Sequence, residues 1–387
     1  MNMKYNAIVV GAGITGAATA YFLKKREAAN VLLLDRDEPA AGGTGKSAAI
    51  IRQHYSNPLA ANLTRESINI LSALSEAGYQ TGFARTGYHM LVPETMLEGA
   101  RANIAMLTGI GIATELQDVA SSRVAEFANP EGVAAVVYEP DGGYADPVHA
   151  TEAFVNAFKA LGGEFRGRTP VEALVGDGER VTGVKIGGKT VESNTVVNAS
   201  GPWSGRLAES IGIAMPLRVV REQDTVWEVR PGRPVPEGPV STAVDAIYLR
   251  PLGNRRFVVG RGFPKQYCDV DPNDYKISAD EEFVSDVLER LEHRFPVFRG
   301  ATRVDSYASL YDVTPDWYPF VGPRNRVEGY ADAWGGSGHG FKLAPAIGRR
   351  LADWIIDGGI DDEFRRLSHD RIAEDNLFVQ KYGGNRG

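Results

Sequence analysis

At 387 residues, 43% of them hydrophobic and 24% charged, the chain has the make-up of a globular protein with room for about two domains. A net charge of −7 with dispersed Lys and Arg argues against nucleic acid or an anionic membrane as partner, and no stretch approaches the roughly 18 consecutive apolar residues of a membrane span. A single cysteine, Cys268, excludes an intrachain disulfide and suits a reducing, cytoplasmic compartment.

In chain order, the apolar run 5–10 leads into G-A-G-I-T-G at 11–16, and residues 17–24 then carry a helical pattern. Strand, tight turn and helix are predicted. Gly11 permits the reversal, Gly13 lets backbone amides approach a pyrophosphate, and Gly16 lets the helix lie close to the sheet. Ile14 and Thr15 sit where the helix N-terminus faces phosphate charge. A second buried strand at 31–34 ends at Asp35, roughly twenty residues past the turn, where an acid accepts hydrogen bonds from a ribose. Residues 7–23 are the most apolar N-terminal run, but the glycine turn interrupts them and no basic segment precedes them, so they read as a βα unit and not a signal peptide.

Residues 35–55 are rich in small side chains, with Gly42, Gly43, Thr44, Gly45, Ser47, Ala48 and Ala49 preceding Arg52 and Tyr55. Such a loop can run close against a ligand. Next come a helix at 60–76, a strand at 88–92, a helix at 95–107 and a strand at 132–138. Pro147 opens a helix with Asp146 as its N-cap and Gly162 past its end. Strands at 171–175, 181–186 and 195–198 lead into A-S-G-P-W-S at 199–204, and 217–308 is rich in strands apart from an amphipathic helix at 281–294. The last segment carries T-P-D-W-Y-P-F-V-G at 314–322, A-W-G-G-S-G-H-G-F-K at 333–342 and a helix at 344–356. The tail beyond Gly383 is expected to fray.

Four islands resemble the D-amino-acid oxidase superfamily of flavoproteins, and within it the branch of monomeric sarcosine oxidase, the sarcosine oxidase β-subunit and glycine oxidase. They are G-A-G-I-T-G with Asp35 and Arg36; G-T-G-K-S-A-A-I-I-R-Q-H-Y; V-V-N-A-S-G-P-W; and T-P-D-W-Y-P-F-V-G followed by G-G-S-G-H-G-F-K-L-A-P-A-I-G. Order and spacing match as well as letters, over nearly the whole chain. The resemblance implies an α/β, D-amino-acid oxidase-like fold in which a Rossmann-like FAD-binding domain (1–86, 143–216 and 309–387) is interleaved with a mixed-sheet substrate domain (87–142 and 217–308).

It also implies roles for single residues. Gly11, Gly13 and Gly16 would take the pyrophosphate of FAD, Asp35 the adenosine ribose, Arg36 and Val171 the adenine side, and Thr44 and Ser47 the phosphate and ribityl region. Gly201 and Trp203 of the third island count among the cofactor contacts. Gly336, Gly338, His339, Gly340 and Lys342 would lie by the pyrimidine end of the isoalloxazine, where amides stabilise the charge of reduced flavin. Arg52 and Lys342 would converge on a substrate carboxylate, a fork and a point charge. Tyr248 and Tyr311 resemble tyrosines that wall the substrate cavity, with His339 beside them, while Arg221 and Arg250 are weaker candidates for added positive charge.

Two departures bear on the cofactor. Ser309 stands where monomeric sarcosine oxidase has its flavin-linking cysteine, and no histidyl attachment site appears near 46–49, so FAD is expected to be noncovalent. The oxygen-activating lysine of sarcosine oxidase aligns near Val258; Lys265, a few residues on, would need a shifted register to lie over the flavin.

The implied reaction is FAD-dependent oxidation of a small, carboxylate-bearing secondary amine, sarcosine-like or another N-substituted amino acid, by hydride transfer to flavin N5 and hydrolysis of the imine. Oxygen or another acceptor takes the electrons, with an oxidase favoured over a dehydrogenase. No residue stands out as a general base, so pH dependence is expected to report the bound amine. Alternatives on the same scaffold are a glycine or D-amino-acid oxidase, a 2-hydroxy-acid dehydrogenase, or a non-catalytic or electron-transfer flavin subunit of a larger complex; the oligomeric state stays open, a hetero-oligomer included. The six histidines show no paired metal spacing, no G-x-S-x-G elbow is present, and a nicotinamide enzyme would leave the C-terminal glycine island unexplained.

Overall fold

The computed structural model describes residues 4–379; the tail beyond Gly383 lies outside them. Tyr5–Val10 is buried along nearly its whole length, as a central parallel strand covered on both faces must be. It pairs in parallel with Val31–Leu34 on one side and Lys189–Asn198 on the other. The sheet order is Phe320–Pro323, Tyr330–Trp334, Lys189–Asn198, Tyr5–Val10, Val31–Leu34 and Glu164–Arg166, antiparallel only at the first pair. Ala173–Gly176 and Val181–Ile186 form an antiparallel meander on the far end of Lys189–Asn198.

Helix Ile14–Lys25 is predominantly apolar because it is enclosed, packing against the helices Pro147–Ala160 and Gly340–Asp357. The approach is close: a Cβ on Gly348 would lie 2.7 Å from the backbone of Ala18. This packing brings the first and last parts of the chain to the same end of the sheet.

The second sheet has nine strands, running Cys268–Asp269, Arg218–Glu228, Arg256–Arg261, Ile247–Gly253, Val240–Thr242, Tyr88–Val92, Ala135–Glu139 and Glu115–Gln117, with Thr302–Val313 also on Arg218–Glu228. Helix Glu281–Arg294 covers it, burying Val284, Val287 and Leu291 in a cluster with Leu249, Phe257 and Val259. Full burial of each such side chain contributes roughly 1.5–3 kcal/mol.

Several elements differ from expectation. Thr302–Val313 runs unbroken through the expected 308/309 boundary, because its 12 residues pair along the whole of Arg218–Glu228. The C-terminal helix starts at Gly340 rather than 344, with Pro345 inside it, so its N-terminus belongs to the glycine island. The strand expected at 171–175 is Ala173–Gly176, leaving Val171 in the preceding loop, and a short helix, Ser204–Glu209, follows the third island.

Candidate active site

One cavity of about 530 Å³ opens between the two sheets, lined by the first turn, residues 41–52, the 169–172 and 199–203 loops, residues 309–312 and the glycine island. Every residue assigned a cofactor or substrate role lines it except Gly16; the weaker candidates Arg221 and Arg250 do not. Gly16 acts from behind: a Cβ there would lie 1.9 Å from the Gly11 carbonyl oxygen. Gly11 has φ +106°, and its Cβ would meet the Ala199 carbonyl at 2.3 Å.

The helix that starts at Ile14 has Gly13 as N-cap and no side-chain cap; only the Ile14 amide is engaged, at 3.3 Å from Thr44 Oγ1. Its first turn therefore keeps donors for an anion. Asp35 is held rigidly, its Oδ2 accepting from the Ala12 amide at 2.6 Å and its Oδ1 from the Asp37 amide at 2.9 Å, while burial raises its pKa. Arg36 lies 3.9 Å over the Trp203 ring, and both side chains hydrogen-bond Asn273. Ser47 Oγ accepts from the Ala49 amide.

At the other end, Gly338 has φ +83° and a Cβ there would lie 2.4 Å from the Tyr311 ring, so the backbone rests directly on that aromatic. Asp312 anchors the loop by accepting from the Gly335 amide at 2.7 Å. His339 is buried; its Nε2 faces the Trp317 carbonyl at 2.5 Å, which makes Nε2 the donor and leaves Nδ1 to accept from the Tyr55 hydroxyl at 3.1 Å. Burial, followed by the charge of Lys342, pushes its pKa down to about 3, so the ring is neutral.

Arg52 and Lys342 flank Tyr55, with the guanidinium carbon 4.9 Å and Nζ 5.9 Å from its ring centroid. Arg52 donates to the His54 carbonyl at 2.6 Å. The described residues offer Lys342 no hydrogen-bond or ion-pair partner, and burial, then Arg52, lower its pKa well below the lysine range. Glu139, fully buried, lies behind Arg52 and accepts from the Gln53 amide at 2.7 Å.

The mixed sheet supplies the remaining wall. Tyr248 donates to Asp224 Oδ1 at 2.9 Å, and Lys265 Nζ lies 2.6 Å from Glu222 Oε2; Tyr311 lies against the same cluster. Glu222 and Asp224 were absent from the sequence-based site, and Lys265 entered the sequence reading only as a lysine that needed a shifted register. Two acids at i and i+2 in the strand Arg218–Glu228 were the available signal, since alternation puts both on one face. Val258 is buried inside its strand and does not line the cavity, whereas Lys265 does. Arg221 and Arg250 stay off it: Arg221 pairs with Asp280, and Arg250 donates to the Ala48 carbonyl. Ser309 lines the cavity, while Cys268 is exposed at the sheet edge. Among the described residues no three His, Cys, Asp or Glu side chains come together as a metal site.

A free helix N-terminus, a turn that excludes Cβ atoms, a fixed carboxylate at the end of the second strand and a second helix start at the glycine island fit an extended dinucleotide. Residues 6–354 match the DAO family, described as FAD dependent oxidoreductase. The chain belongs to that family. FAD is thus its cofactor, and it is an oxidoreductase of the D-amino-acid oxidase-like fold. It is 28% identical to FAD-dependent oxidoreductase domain-containing protein 1 of Xenopus laevis, over 96% of this chain and 84% of the relative. It is 25% identical to sarcosine oxidase subunit beta of an Arthrobacter species, covering 91% and 87%. The solved L-proline dehydrogenase of P. horikoshii superposes with a TM-score of 0.87 at 24% identity, covering 98% of this chain and all of that one, a likeness of fold. No helix among the described residues is long and apolar enough to cross a membrane.

Proposed function

We propose that this oxidoreductase acts on a small secondary amine that carries a carboxylate, such as sarcosine or another N-substituted amino acid. The observation that carries the reading is the convergence of two buried basic side chains of the cavity wall, Arg52 and Lys342, on one aromatic ring. In this reading FAD is held without a covalent bond by 1–86, 143–216 and the C-terminal segment. The mixed sheet forms the substrate domain, with the boundary moved to the end of Thr302–Val313.

When bound, FAD supplies the acceptor for the hydride equivalent leaving the carbon next to nitrogen. Arg52 and Lys342 grip the substrate carboxylate and so fix that carbon's position, which is where orientation lowers the barrier. Tyr248 and Tyr311 wall the substrate. His339 positions rather than reacts: its neutral ring holds the Tyr55 hydroxyl and keeps that ring beneath both basic groups. Water then hydrolyses the imine. Dioxygen is the electron acceptor and the compartment cytoplasmic, to which the exposed, unpaired Cys268 is suited.

Anaerobic bleaching of the bound flavin tests the substrate class. N-methyl and N-carboxymethyl amino acids are expected to bleach it faster than unsubstituted amino acids, and 2-hydroxy acids slowest. Fast bleaching by amines without a carboxylate would overturn the proposal.

A further inference from the structure

The mixed-sheet wall of the cavity carries an anionic group that the reading above leaves unused. Alternation along Arg218–Glu228 sends Glu222 and Asp224 to the cavity, while Arg221 and Gln223 face the other way and engage Asp280. The two acids are not equivalent. Glu222 is matched by Lys265 at 2.6 Å, whereas no basic group among the described residues forms an ion pair with Asp224, whose carboxylate is fixed by the Tyr248 hydroxyl. The space for that pair depends on Gly260: a Cβ there would lie 2.3 Å from both Asp224 Oδ1 and the Tyr248 oxygen.

We propose that Asp224 receives the substrate's nitrogen as an ammonium and takes its proton, the anionic counterpart of Arg52 and Lys342 in the same cavity. The inference rests on the amino-acid reading and narrows it to a zwitterion, because a 2-hydroxy acid brings no positive charge to a buried carboxylate that lacks an ion-pair partner. An ammonium has no lone pair with which to expel a hydride equivalent. Transfer of one N–H proton to Asp224 gives a neutral amine and a neutral carboxylic acid; the amine then loses its hydride equivalent to FAD, and the proton passes from Asp224 to water.

The groups facing Asp224 leave it as the proton acceptor. They are Glu222 on its own strand, Tyr248 and Arg250 from Ile247–Gly253, Tyr307 and Tyr311 from Thr302–Val313, and Lys265. Lys265 is committed to Glu222, Arg250 to backbone carbonyls, and burial drives all three tyrosines upward, away from neutral pH. Burial also pushes Asp224 up to about 7, against the lowering effects of Tyr248 and Lys265, so near neutrality it can both lose and accept a proton.

Two measurements on the FAD-loaded protein test this. The first compares trimethylglycine with 3,3-dimethylbutanoate, its isostere with an uncharged head group, by titrating the flavin absorbance. Neither ligand can be oxidised to an imine, so the result is independent of the amine-oxidation reading. Wild-type protein is expected to prefer trimethylglycine by about tenfold above pH 7, to lose the preference as pH falls through the Asp224 titration, and to lack it in Asp224→Asn. Equal binding of the two ligands by wild type at every pH overturns the proposal without needing the variant.

The second is the bimolecular rate constant of anaerobic flavin reduction against pH. Wild type should give a bell whose acid limb belongs to Asp224. Asp224→Asn should lose the Asp224 limb and instead rise toward the substrate amine's own pKa, roughly 10 by analogy with lysine, until loss of the Lys342 proton weakens carboxylate binding, with a loss of about 10²-fold at pH 7.5. Superimposable profiles overturn the role of Asp224, whereas failure of every amino acid to reduce wild-type protein overturns the functional reading instead.

Discussion

Arg52 and Lys342, from opposite ends of the chain, place their basic groups 4.9 and 5.9 Å from the centroid of one ring, that of Tyr55, and both are almost fully buried. Burial and the Arg52 guanidinium disfavour the charge on Lys342, and an anion received between the two groups relieves that. On the proposed reading, that anion is the substrate's carboxylate.

Arg52→Ala should weaken binding of 3,3-dimethylbutanoate by on the order of 2–5 kcal/mol, well over tenfold in Kd, because the anion loses its fork and stays buried. FAD content should be unchanged. Titration of the flavin absorbance measures both, and unchanged affinity would defeat the assignment.

The lowered pKa of Lys342 sets a pH dependence for the same ligand. Only the ammonium form attracts the carboxylate, and the free site surrenders that proton below the pH at which an ordinary lysine would. Affinity should be highest on the acid side and fall as pH rises through the lowered pKa. Lys342→Met should flatten that fall; a variant with the wild-type slope would contradict it.

Ser309 on the cavity and Cys268 exposed at a sheet edge leave no thiol beside the cofactor. Acid precipitation should release all the flavin into the supernatant. Yellow colour retained in the washed pellet would show a covalent bond.

Gly338→Ala and Gly16→Ala should fail differently. At Gly338 a methyl group meets the Tyr311 ring at 2.4 Å in a left-handed backbone, so cofactor and substrate affinity should suffer most. At Gly16 it meets the Gly11 carbonyl oxygen at 1.9 Å, so the apo-protein itself should melt several degrees lower, by roughly 1–3 kcal/mol of overpacking. Apo and FAD-loaded melting temperatures separate the two.

Burial pushes Glu139 up to about 7, against the Gln53 amide and Arg52, from an ordinary value of 4.5. Between those values the folded state keeps a proton that the unfolded chain has lost. Stability from this group is thus complete below the lower value and is lost as pH rises to the higher one, by up to about 3 kcal/mol. Glu139→Gln, which retains an acceptor for the Gln53 amide, should remove that decline in urea unfolding between pH 5 and 8. An equal change in stability at both pH values would be evidence against it.

The sequence by itself determined what contiguous residues encode: the glycine turn, the acid ending the second strand, the Asp146-capped helix and the two basic residues inside their motifs. Such features are local, because φ angles, caps and the approach of backbone to a phosphate depend on neighbours in the chain. Tertiary structure alone decided the rest. Alternation shows that Glu222 and Asp224 share a face, but only the packing of the mixed sheet over the cavity decides that this face is the inner one. Lys265 enters the cavity because the chain leaves the ladder after Arg256–Arg261 and rejoins Arg218–Glu228 only at Cys268–Asp269, whereas Val258 stays locked in it. Glu139 reaches Arg52 through a contact with Gln53 that spans 86 residues. Charge on a side chain is written in the sequence; whether that charge is paired, buried or aimed at a ligand is set by which distant strands fold against it.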